Sequence, residues 1–396
     1  MPTPIYHGLR GSRDTIQPRQ GEIRGQDSPG GARRGEEGRR EDRRDLDGAQ
    51  EGGAGQLGRA LQRLQAVQEG RGVNPVYTPL RKLSESIRSR EASPVELAEA
   101  FLERLEEHGP TLNAVVTLTK ERAIKQAKKA EGEIKKGKVK GPLHGVPWGG
   151  KDLLATAGIP TTWGAAPFRD QVFEYDATVV KKLEDAGAVL LAKLAMIELA
   201  GGMGYRQPNA SFTGPCATPW SQGHWSGGSS SGSGAAVGAG LVPFAIGSET
   251  WGSILSPANN CGVAGLRPTY GRVSRHGAMA LSWTLDKLGP LCQTADCCGI
   301  VLEAIAGHDP KDQTTSKRPY RYALKRDGLR VAVPKGVTDG VAEPVSRNFD
   351  EAMRVVERFA EVEEIEFPEF PYEAVTRTIL NAEAASAFDE FTERGL

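Results

Sequence analysis

The chain has 396 residues, enough for a large core in one domain or two, and sets 50 Lys and Arg against 50 Asp and Glu. That balance gives no electrostatic case for a nucleic-acid or anionic-membrane partner, and no apolar run reaches the roughly 18 residues a transmembrane helix needs. Five scattered cysteines without a C-x-x-C pair and six dispersed histidines form neither a disulfide framework nor a zinc site, so neither metal nor cofactor is expected, and a reducing, cytoplasmic compartment is.

In chain order, residues 1–76 are mostly Arg, Glu, Asp, Gly and Gln. Such a segment cannot offset its own ordering entropy and reads as a disordered tail, with one short helix at 57–68. Its Arg/Gly run would suit RNA, but interleaved acids cancel the charge. The folded part is expected over 77–396. Ser93-Pro94-Val95-Glu96 has the form of a helix start, and Ala98, Phe101, Leu102 and Leu105 follow at helical spacing until Gly109-Pro110. Residues 113–118 read as a strand and 121–136 as a Lys-rich helix. Beyond them come a capped helix at 176–186, a strand at 187–191 and a helix at 193–201. A packed helix at 235–240 leads into a strand at 242–246. A strand at 329–333, a helix at 348–361, an edge strand at 362–367 and a helix from 373 complete the pattern. This alternation predicts an α/β sheet covered on both faces.

Two hydroxyl-rich loops stand out. One is Gly227-Gly228-Ser229-Ser230-Ser231-Gly232-Ser233, the other Gly247-Ser248-Glu249-Thr250-Trp251-Gly252-Ser253, and the apolar segment 235–245 between them reads as buried. Glycine lets backbone bend sharply and approach a ligand. The turn Thr250-Trp251-Gly252-Ser253 can aim several N–H groups at one point, as an oxyanion hole requires, and ends in a serine that is a candidate nucleophile. A structural turn with a helix cap is the plainer reading of the same residues. Gly228 to Gly232 also matches G-x-S-x-G with Ser230 as nucleophile, but that elbow needs an apolar strand before it, and Gln222-Gly223-His224-Trp225-Ser226 is largely polar. Gly145 to Lys151 reads G-x-x-x-x-G-K, yet Asp152 follows where a P-loop needs Ser or Thr, and Pro147 interrupts it. On its own, Lys151 reads as a surface lysine after a Gly-Gly turn.

Taken together, GGSSSGS from Gly227, GSETWGSILSPA from Gly247, CGVAGLRPTYGRVS from Cys261 and PLHGVPWGGKD from Pro142 resemble the amidase signature family of serine hydrolases. The resemblance implies a single domain with a twisted mixed β-sheet and helices on both faces, continuing beyond the point where this chain ends. It also implies a Ser-Ser-Lys triad: Ser253 as nucleophile, Ser229 as bridging serine at a cis peptide, and Lys151 as base. Thr250, Trp251, Gly252 and Ser253 would form the oxyanion hole, with Ser230 and Gly228 in support. Lysine serves as a base only when burial lowers its pKa. Asp152 could oppose this, but successive side chains of an extended segment face opposite ways. Four departures from the family text are Trp251 for glycine, Leu255 and Ser256 near an expected arginine, Glu249 for aspartate, and Ser231 for glycine. The expected function is hydrolysis of a small carboxamide through an acyl-enzyme, without nucleic acid or membrane, in a chain that could pair as a homodimer. The alternatives are the glutamine-hydrolysing subunit of a tRNA-dependent amidotransferase and a non-catalytic homologue.

Overall fold

The computed structural model describes residues 75–201, 207, 209–323 and 328–395. The expected tail, up to residue 74, and its short helix lie outside the described residues. Helix α1 (Leu80–Ser89) buries Leu80, Leu83 and Ile87 at helical spacing. Helix α2 (Pro94–Leu112) starts as the sequence dictates: Ser93 Oγ accepts from the amides of Val95 and Glu96 at 3.1 and 3.3 Å. It does not stop at Gly109-Pro110. Pro110 lies inside the helix, which ends three residues later at Asn113 in the left-handed region (φ 51°). Proline's fixed φ is helical and costs one hydrogen bond. The carbonyls of Gly109 and Pro110 then accept from Ala114 and Asn113 and close the last turn.

Strand β1 (Val115–Leu118), helix α3 (Lys120–Lys135), strand β2 (Pro147–Lys151), helix α4 (Thr178–Asp185) and strand β3 (Val189–Leu194) follow. A small hairpin of β4 (Ala217–Thr218) and β5 (Ser221–Trp225) stands apart from the main sheet. Then come α5 (Ser231–Gly238), β6 (Phe244–Glu249), α6 (Leu255–Cys261), β7 (Ala264–Gly265), β8 (Lys287–Cys292) and α7 (Ala295–Ile305). The sheet order is β1-β3-β2-β6-β8-β7. Strands β3, β2 and β6 run parallel, while β1 and β8 are antiparallel to their neighbours. Every residue of β2, β3 and β6 is buried, which requires helices over both faces. Helices α3 and α4 pack against β3, α5 against β2 and β6, and α7 against β8.

Several expected boundaries change. The helix expected over 193–201 is absent, because β3 runs on to Leu194 and only a short 3-10 turn (Glu198–Ala200) follows. Lys193, the first residue of that expected helix, lies in β3 and is fully buried, its amine 2.8 Å from Asp152 Oδ1 and 2.7 Å from Thr161 Oγ1. Asp176 does not cap α4. It binds Arg122 at 2.9 and 2.7 Å and accepts from the Ala157 amide. The expected loops around Lys151 and Gly247 are instead the ends of β2 and β6.

Removing one partner of a buried ion pair strands the other charge. Lys193→Met is therefore expected to lower stability by about 3–5 kcal/mol, read as a fall in the denaturation midpoint.

Beyond α7, β9 (Leu329–Pro334) and β10 (Ala360–Ile365) pair in parallel around α8 (Glu343–Val356). Helices α9 (Tyr372–Ala387) and α10 (Asp389–Glu393) return to the main body. There Phe391 is buried against Trp163 and Phe168.

Candidate active site

Lys151 is the last residue of β2, in the middle of the sheet, and is fully buried. Gly149 precedes it because a Cβ there would come within 2.5 Å of Leu194 on β3. Side-chain alternation turns Asp152 to the face opposite Lys151. On that face its carboxylate meets Lys193 at 2.8 Å and accepts from the Thr162 amide at 3.0 Å. Lys151 is left to the hydroxyls. Its Nζ donates to Ser229 Oγ at 2.8 Å and to Ser248 Oγ at 2.9 Å.

Ser229 follows a cis peptide bond from Gly228. Gly228 has no space for a side chain: a Cβ would lie 2.8 Å from both Ile197 and Trp225. The next residue ties the two serine loops together, as the Ser230 amide donates to the Ser253 carbonyl at 3.2 Å. Ser230 Oγ donates to the Ser248 carbonyl at 3.1 Å and accepts from the Ser248 amide at 3.2 Å. This hydroxyl is committed to fastening α5 to β6. Strand β5 before it belongs to the separate hairpin, so the strand-to-helix elbow with Ser230 as nucleophile is not formed.

Ser253 lies buried at the end of the second turn. Gly252 supplies the positive φ that turn needs, 99°, and Trp251 is not among the non-glycine residues with positive φ, so its bulk is accommodated without strain. The Gly252 carbonyl accepts from Ser256 at 2.7 Å and leads the chain into α6. Glu249, a mild change by sequence, has a definite task. Its Oε2 accepts from the amides of Ile254 and Leu255 at 2.8 and 2.9 Å, just beyond Ser253. Arg267 approaches its other oxygen at 3.3 Å, so an arginine meets this carboxylate although none stands at position 255.

Sequence reasoning missed Ser248 and Asp286. Ser248 had a usable signal: parallel neighbouring strands bring the residues at their carboxyl ends together, and β6 pairs with β2. Asp286 had none, because it comes from a loop ahead of β8. Its Oδ1 accepts from Thr250 Oγ1 at 2.6 Å, and its Oδ2 accepts from the amides of Leu281 and Ser282 at 2.9 and 3.0 Å. Lys287 Nζ donates to the Thr250 carbonyl at 3.1 Å, so the first residue of the turn is held from both ends.

Burial pushes the Lys151 amine down from 10.5 to about 7, against the pull of the Asp286 and Glu249 carboxylates. Near neutral pH, a large fraction of this amine is free to take a proton. The cysteines offer no competing nucleophile: all are buried, and burial pushes the Cys216 and Cys261 thiols up to about 12. Among the described residues, no three His, Cys, Asp or Glu side chains are grouped to hold a metal ion, and no helix is long and apolar enough to cross a membrane.

Residues 96–394 match a family model described as Amidase. The chain is 41% identical over 318 residues to the A subunit of the glutamyl-tRNA(Gln) amidotransferase of Carboxydothermus hydrogenoformans, covering 78% of this chain and 65% of that protein. It thus spans less than two thirds of that relative's length. A solved peptide amidase from Stenotrophomonas maltophilia superposes with a TM-score of 0.69 at 31% identity, covering 79% of this chain and 68% of that one. The solved A subunit of the glutamyl-tRNA(Gln) amidotransferase from Thermotoga maritima gives 0.68 at 32% identity, with 81% and 70% covered.

Proposed function

This chain belongs to the amidase family, and on that premise we propose that it breaks the C–N bond of a carboxamide through an acyl-enzyme on Ser253. Ser253 Oγ attacks the carbonyl carbon as its proton passes to Ser229, whose own proton passes to neutral Lys151. The developing oxyanion is received by the backbone amides of Thr250, Trp251, Gly252 and Ser253. The C–N bond then breaks while the proton returns along the same path to the leaving nitrogen. Water repeats the sequence on the ester and releases the acid. Gly228 and Ser230 hold the bridging serine in place. The observation that carries this reading is the 2.8 Å bond from Lys151 Nζ to Ser229 Oγ, made by a buried amine whose pKa lies at about 7.

Two substrate readings follow. A small free carboxamide is the one the catalytic text alone favours. The named relatives weigh toward the other: glutamine, with ammonia passed on inside a complex with partner proteins, because the amidotransferase relatives match at 38–44% identity. The experiment has two parts. A fluorophosphonate probe is expected to label the wild type at Ser253 and leave Ser253→Ala unlabelled; equal labelling of both would end the serine reading. Ammonia release is then measured with glutamine and with simple primary amides. Release from glutamine alone, and only with partner proteins present, selects the amidotransferase reading.

A further inference from the structure

Helix α9 reaches the catalytic turn by two routes. Glu383 Oε2 accepts from Ser282 Oγ and from the Thr284 amide at 3.1 Å, while Oε1 accepts from Thr284 Oγ1 at 2.8 Å. Ser282 and Thr284 belong to the turn that closes on Asp286, whose amide donates to the Ser282 carbonyl at 2.9 Å. Asp286 in turn holds Thr250 Oγ1 at 2.6 Å. Arg377, on the same helix, lies over the Trp251 ring with its guanidinium carbon 5.3 Å from the centroid, and is braced by Glu373 one turn back. Along α9 itself only Ala387 is buried. The helix is held in place by these polar and stacking contacts, by Leu380 and Ala384, which are partly buried against the main core, and by the Phe391 cluster that follows it.

We propose that Glu383 and Arg377 are positioning residues: through the Ser282–Asp286 turn and through the Trp251 indole, they fix the Thr250–Ser253 turn in the geometry that acyl transfer needs. The inference rests on the acyl-transfer reading above. Neither side chain touches a reacting atom. Their value is pre-organisation, because oxyanion donors help only if they are already in place when charge develops. Glu383 binds the first and third residues of the Ser282–Asp286 turn, so it also helps to fix one of the two carboxylates whose charge acts on Lys151. The other is Glu249, on β6. Asp152 is engaged with Lys193 on the opposite face. Asp286 itself lies near Lys287 and Arg275, whose Nη1 approaches the Asp286 carbonyl at 3.5 Å. Freeing Asp286 weakens the support for the Lys151 ammonium. The amine then loses its proton at lower pH.

The test uses the full chain and the rate of fluorophosphonate labelling at Ser253 across pH. Glu383→Ala is expected to slow labelling roughly tenfold and to move the midpoint of the rising limb to lower pH. Glu383→Gln, which keeps an acceptor for Ser282 and Thr284, restores most of the rate. Arg377→Ala, at a side chain 57% exposed, slows labelling a few-fold with the midpoint unmoved. A merely structural role for Glu383 would lower the amount of folded protein and leave the midpoint of the remainder where it was. Wild-type rate and midpoint in both alanine variants would overturn the positioning role while leaving the acyl-transfer reading intact. A wild type that does not label at Ser253 would overturn both.

Discussion

Replacing Lys151 by methionine is expected to cut turnover by about 10⁴-fold or more while making the fold more stable at pH 7. The two effects share one cause. Turnover falls because Ser229 then has no group to which it can pass a proton, and a serine hydroxyl without a base is a weak nucleophile. Stability rises because burial holds the folded-state amine at about 7 against an ordinary 10.5. Above pH 10.5 neither state is protonated and the lysine imposes no penalty. As pH falls through 10.5 the unfolded chain takes up a proton that the folded chain does not, and the penalty grows until about pH 7, below which it is constant. The gap corresponds to a few kcal/mol. Methionine, of similar length and uncharged, removes it. Thermal midpoints read across pH 7 to 10 should show the wild type gaining stability relative to the variant as pH rises. A stability difference between wild type and variant that does not change from pH 7 to 10 would contradict a folded-state amine held at about 7.

Ser229→Ala carries the second large expectation, a loss of about 10³-fold in turnover. The variant keeps the lysine, its burial and its bond to Ser248 Oγ, and removes only the hydroxyl that accepts from the amine at 2.8 Å and through which the proposed relay runs. Its neighbour provides the contrast. Ser230→Ala removes a hydroxyl that bonds both backbone groups of Ser248, so its main cost is about 1–3 kcal/mol of stability from buried groups left without a partner. Two adjacent serines should therefore separate cleanly, one in rate and the other in denaturation midpoint. Turnover in Ser229→Ala close to that of the wild type would mean that no proton passes through Ser229.

Much of this site is legible from text because its parts are local. The GGSSSGS and GSETWGS stretches each carry their own backbone requirement, such as the crowding at Gly228 and the positive φ of Gly252. Ser93 marks the start of α2 because a helix cap needs only neighbouring amides. Charge compensation across the chain is not legible in the same way. Nothing next to Lys193 in the sequence marks it as buried, because its partner Asp152 stands 41 positions earlier. The same holds for Asp286 and Glu383, whose acceptor roles depend on segments distant in sequence. The strand ends at Lys151 and Ser248 read as loops because glycine and serine dominate there. Central parallel strands covered on both faces admit such residues wherever a neighbour needs the space, as Leu194 does over Gly149.

Activation of Ser253 by an uncharged Lys151 is the central claim, and the pH dependence of fluorophosphonate labelling at Ser253 tests it most directly. The wild-type rate should rise through a midpoint near pH 7, the value to which burial brings the amine. Lys151→Met should label slowly at every pH. A Lys151→Met rate equal to that of the wild type, or a wild-type rate that does not change with pH across the neutral range, would contradict it.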